Sequence, residues 1–186
     1  MLFVVLFLFP LTWVLVFGVF SKHNFNTLPY YGPRQTVVNA EGGTDTIYHR
    51  LPTFEFTNQN GNPWGSDSLK NKVWLAAFYS TNSPYIEKIT NRLLWPNFRY
   101  RDESDIIVVS FSTDTDHDTP EVLATYIEKT TEYNGFPGKW QFLTGDQAGI
   151  HTLMKEGFDL PLVDNTSALY LVDAEGYLRG RYDGNS

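Results

Sequence analysis

The sequence predicts an α/β domain, a central mixed sheet with helices on both sides. Three observations carry that prediction. Lys72–Ser80 (KVWLAAFYS) and Ile106–Phe111 (IIVVSF) are near-continuous apolar runs of strand length, the pattern of central strands covered on both faces. Between them Ile86, Ile89, Leu93 and Leu94 recur at helical spacing, and Trp95 and Phe98 extend that face. Strand, helix and strand at this separation make a βαβ unit.

The remaining elements follow in order. Residues 1–20 (MLFVVLFLFPLTWVLVFGVF) are uncharged and almost wholly apolar. As a helix they reach about 30 Å, the thickness of a bilayer's hydrocarbon core. No Lys or Arg precedes the run and no small-x-small site follows it, so an uncleaved transmembrane anchor is expected rather than a cleaved leader. Residues 21–45 read as a membrane-proximal linker, with Pro29, Gly32 and Pro33 favouring turns. Val37 and Val38 are the only hint of a strand there. Residues 46–186 form the folded domain. Phe54 and Phe56 alternate with polar residues before the Asn60-Gly61 turn. Asp118, with Pro120 and Glu121 behind it, has the character of a helix cap, and Leu123, Tyr126, Ile127 and Thr130 form that helix's face. Trp140–Leu143 is a short strand. Asp146–Glu156 is a short helix with Ile150, Leu153 and Met154 inward. Ser167–Val172 and Tyr177–Tyr182 form a hairpin through Asp173–Gly176. No residues remain after it for a closing helix, so either the sequence is a fragment or one sheet face stays open.

Composition narrows the chemistry. A length of 186 residues suits one substantial core. A net charge of -7 without Lys/Arg clusters argues against a nucleic-acid partner. The decisive count is zero cysteines. Without thiolates the chain cannot form a disulfide couple or a thiolate copper site.

This layout is that of a thioredoxin-like domain. Four stretches carry a more specific likeness: Phe78–Pro84 (FYSTNSP), Ser112–Leu123 (STDTDHDTPEVL), Pro137–Asp146 (PGKWQFLTGD) and Leu171–Gly184 (LVDAEGYLRGRYDG). Over about residues 46–184 the chain resembles the Sco/SenC family, thioredoxin-like copper chaperones of cytochrome c oxidase assembly. The resemblance implies a copper site of two cysteines separated by three residues, plus a histidine near the penultimate strand. Ser83 and Glu87 stand at the cysteine positions, and Asn165 at the histidine position. A divergent member with a degenerate site is therefore expected. It would be a membrane-anchored accessory protein, single-pass in the cell membrane with its domain facing the periplasm. Its partners would be the membrane and an oxidase subunit or another assembly or redox protein. Two alternatives stand beside this reading. One is a copper metallochaperone using substituted ligands such as Glu87 or Met154, or a partner's. The other is a non-catalytic thioredoxin-like protein-binding module.

The residues themselves support modest roles. Ser83, just before Pro84, can cap the following helix, and Glu87 interacts favourably with that helix's N-terminus. A serine nucleophile needs a base, and of His23, His49, His117 and His151 only His117 is expected near Ser83. No G-x-S-x-G elbow accompanies Ser83. Asp114, Asp116 and Asp118 lack the glycine and terminal glutamate of a calcium loop. The sequence assigns no catalytic, cofactor or metal residue.

Overall fold

The computed structural model describes residues 27–134, 139–161 and 168–183. Two antiparallel strands come first, β1 (Arg34–Val38) and β2 (Thr44–Tyr48). Within the stretch expected as a linker over 21–45, residues 34–45 hold β1, a turn and the start of β2. Val37 and Val38 belong to a hairpin whose turn is closed by Asn39, which accepts from the Glu41 and Gly43 backbone amides.

The main sheet has seven strands in the order β4-β3-β7-β6-β5-β8-β9. They are β3 (Glu55–Asn58), β4 (Pro63–Gly65), β5 (Val73–Tyr79), β6 (Ile106–Ser112), β7 (Trp140–Thr144), β8 (Leu169–Val172) and β9 (Leu178–Tyr182). β5, β6 and β7 run parallel, and β3, β8 and β9 add antiparallel neighbours. The two apolar runs of the sequence are thus adjacent central strands, in register from Val73↔Ile106 to Tyr79↔Ser112. Strand alternation sends Trp74, Ala76 and Phe78 to one face and Ala77 and Tyr79 to the other. Helices α1 (Ile86–Arg99) and α2 (Pro120–Asn134) cover the second face through Ile86, Ile89, Leu93 and Leu123. The first face is covered by α3 (Gln147–Thr152) and the π-type turn Leu153–Gly157, through Ile150, Leu153 and Met154. At β8, Tyr170 and Val172 are buried, whereas Leu169 and Leu171 on the opposite face are only half-buried. The β8–β9 hairpin turns where expected, with Gly176 at φ +86° supplying the left-handed residue.

Several expectations need correction. Trp95 and Phe98 do not extend the buried face of α1; they are exposed. Helix α1 begins at Ile86 without a side-chain cap, two residues after Pro84. Asp118 does not cap α2 as a solvent-facing residue, because its side chain is fully buried. Thr119 stands nearest that role, its hydroxyl accepting from the Val122 amide at 3.4 Å.

The membrane readings are corrected as well. Among the described residues no helix is long and apolar enough to cross a membrane. The longest, α2, has 15 residues and so spans only about 22 Å, short of a bilayer core of about 30 Å. The transmembrane span expected over 1–20 lies outside the described residues. The anchored form, the single-pass cell-membrane location and the membrane as partner rested on that span, and the periplasmic placement on the family resemblance; none is carried further.

Candidate functional site

The site expected from the sequence lies at the carboxyl ends of β5 and β6, where parallel strands place their following loops side by side. After Tyr79 the chain turns sharply. Asn82 N donates to Ser80 Oγ at 3.2 Å and Ser83 N to the Ser80 carbonyl at 2.9 Å. Ser83 Oγ then accepts from Tyr85 N at 3.3 Å, and its carbonyl from Ile86 N at 3.1 Å. Its hydroxyl therefore shapes the turn before α1. Glu87 is exposed in the first helical turn.

The centre of the site is Asp118, which the sequence pattern suggested only as a cap. Its fully buried carboxylate accepts from four donors on three segments. Oδ2 receives Ser112 Oγ at 2.6 Å and Thr81 N at 3.1 Å; Oδ1 receives Thr81 Oγ1 and lies 2.9 Å from His117 Nδ1. A buried charge is tolerable only when met in this way. The arrangement ties the β5–α1 loop, the end of β6 and the β6–α2 loop to one point. The last loop is also held from the other side. Gln147 Oε1 accepts from Thr115 N and Oγ1, both at 2.9 Å, and its Nε2 donates to the Thr113 carbonyl at 2.9 Å.

The same geometry limits the chemistry. Thr81 Oγ1 and the Asp118 carboxylate both face Nδ1 of His117. A triad needs the hydroxyl on one ring nitrogen and the carboxylate on the other, so this is no acyl-transfer relay. The hydroxyl beside His117 is moreover Thr81's, not that of Ser83. Tyr79, just behind, is fully buried, and burial and then the Asp118 charge push its phenol well above the ordinary 10.0. Outside the network an open groove of about 360 Å³ is lined by Thr81, Asn82, His117, Val122, Thr125 and Tyr126, among others.

Thr81 and Ser112 were missed as site residues. The available signal was a hydroxyl residue just beyond one central strand and another ending its neighbour, followed six residues later by a carboxylate. Asn165 lies outside the described residues. Met154, offered as an alternative ligand, is 1% exposed and packed in the core.

Comparison with known proteins decides the lineage. The family profile described as SCO1/SenC matches residues 44–186. The chain belongs to the SCO1/SenC family. The SCO1 protein homolog of Bacillus subtilis is 29% identical over 151 residues, covering 75% of this chain and 77% of that one. A SCO2-like protein of Rickettsia prowazekii is 31% identical over 147 residues, 69% and 67% of the two chains. The crystal structure of a SCO1/SenC family lipoprotein from Bacillus anthracis matches with a TM-score of 0.65 and 34% identity, over 73% of this chain and 85% of that one. Copper-bound ScoI of Bradyrhizobium japonicum matches at 0.56 and 22% identity, over 74% and 91%, a likeness of fold alone.

Within the SCO1/SenC family this chain is a degenerate member. It has no cysteine, so it has no thiol–disulfide oxidoreductase activity. Among the described residues no three His, Asp or Glu side chains stand close enough to hold a metal ion. The residues present do not fit copper: a turn-forming hydroxyl and an isolated exposed carboxylate are hard, sparse donors.

Proposed function

We propose that this SCO1/SenC protein is a non-catalytic, thioredoxin-like protein-binding module in the oxidase-assembly sphere of its family. Its partner would be an oxidase subunit or another assembly or redox protein. In this reading Ser83, Glu87 and Asn165 are the relics of the family's ligand positions, and the fold is kept for its surface.

The observation that carries the proposal is the Asp118 network. Four hydrogen bonds converge on one buried carboxylate and hold two site loops rigid, although no thiol remains for that rigidity to serve. A preorganised loop pair lowers the ordering cost of association whether or not chemistry follows. The adjoining groove offers mixed apolar and polar contacts in Val122, Tyr126, Thr125 and His117.

Two measurements test it together. Titration of the full chain with Cu(I) against a competing chelator is expected to show no stoichiometric uptake. A photo-crosslinking residue in place of Thr125 is expected to capture an oxidase subunit or an assembly or redox protein. Tight uptake of one Cu(I) per chain, or no protein adduct from the groove, overturns the proposal.

A further inference from the structure

Helix α1 carries a second feature that the site does not use. Its inward side is Ile86, Ile89, Leu93 and Asn97. At 100° per residue Trp95 stands about 160° around the helix from Leu93 and Asn97, with Arg92, Phe98 and Arg99 within about 60° of it. Trp95 is 66% exposed and Phe98 56%, the two largest exposures of aromatic side chains among the described residues. Large aromatic groups left in water on one helix face mark an interaction surface more often than chance.

Charge is segregated on the same helix. Residues 86–99 hold Lys88, Arg92 and Arg99 against Glu87 alone, a net +2 on a chain whose total is -7; Arg101 follows just beyond the helix, 3.6 Å from Asp102. Two of the guanidinium groups lie over neighbouring rings. Arg101 sits 4.4 Å from the Phe98 centroid, and Arg99 5.5 Å from that of Tyr100. Stacking spreads their charge over an apolar surface and holds it there. Trp and Arg together are also the residue types that dominate binding energy at protein interfaces.

We infer that the outward face of α1, centred on Trp95 and flanked by Arg92, Phe98 and Arg99, docks an acidic segment of a partner protein. The inference deepens the binding-module reading and rests on it. Charge complementarity selects this occupant. A second copy of the chain, meeting face to face about a two-fold axis, would set this basic stripe against itself. A nucleic acid or an anionic bilayer would meet too few cations on a protein that is acidic overall. Asp102, Glu103 and Asp105 also close the basic stretch immediately after Arg101.

The test places a photo-crosslinking residue at exposed Asn91, one turn before Trp95, in the full chain expressed in the cells that make it. Adducts are sequenced by mass spectrometry. The expected product joins α1 to a protein segment rich in Asp and Glu. Its yield should fall about tenfold or more in Trp95→Ala and in the double variant Arg92→Glu/Arg99→Glu, with thermal melting run beside each because Arg92 is half-buried whereas Trp95 and Arg99 are exposed. Adducts to lipid, to nucleic acid, to a second copy or to a neutral or basic segment overturn the inference, as does a yield unmoved by the variants. A Thr125 probe run in parallel separates the failures. Capture there but not at Asn91 sinks this surface alone, and no capture at Thr125 sinks the binding-module reading whatever Asn91 yields.

Discussion

Ser112 Oγ, at the end of β6, lies 2.6 Å from Oδ2 of Asp118, six residues further on. That bond joins the rim of the sheet to the loop leading into α2, and Thr81 completes the bridge from β5. Asp118→Ala removes a buried acceptor and strands four donors. It should cost about 2–4 kcal/mol, the range for breaking a buried charged network. Thermal melting measures this, with Asp116→Ala, an exposed neighbour, staying within about 0.5 kcal/mol of the parent. If the two variants melt alike, Asp118 is not the anchor of these loops.

Restoring sulfur should restore metal. Ser83→Cys with Glu87→Cys returns two thiols separated by three residues to the loop and first turn of α1. With soft ligands back on an otherwise unchanged scaffold, the double variant should compete with a chelator for one Cu(I) where the parent does not. Uptake no greater than the parent's would show that 83 and 87 are not the family's ligand positions.

Alkaline stability should report on Tyr79. Burial first, and the Asp118 charge next, hold its folded pKa well above the unfolded value of about 10. The unfolded chain therefore releases this proton at lower pH than the folded one. The contribution is complete below about pH 10 and is lost as pH rises through the folded value. Tyr126 and Tyr170, raised by burial too, act in the same sense. Tyr79→Phe should make the fall in denaturant stability above pH 10 shallower. It should cost little at neutral pH, because the phenol oxygen has no hydrogen-bond partner among the described residues. An unchanged alkaline slope would contradict this.

Much of the scaffold was legible because local pattern and tertiary role agreed. The β5 and β6 runs are apolar on both faces because both faces are buried, and Asp173–Gly176 turns because Gly176 can take positive φ. Where pattern and position diverged, the expectation failed. Trp95 and Phe98 sit close enough to helical spacing to pass as core, since periodicity records apolar residues without recording whether anything packs on them. Val37 and Val38 were hidden in a turn-rich stretch, and their pairing with β2 depends on Asp45 and Thr44 across the hairpin.

At the candidate site the division is similar. Ser83 and Glu87 could be placed from the FYSTNSP stretch, and the Asp-Thr-Pro segment drew attention to Asp118. Its function could not be read. A carboxylate before a helix looks like a cap in one dimension. Only folding brings Thr81, 37 residues earlier, onto it.

The sequence alone determined which reactions are closed: a chain without sulfur nucleophiles does no disulfide exchange in any conformation, because composition does not depend on shape. Only the tertiary structure decided which polar groups are buried together and which aromatic rings face water. Those outcomes follow from contacts between segments far apart along the chain, which no local pattern encodes.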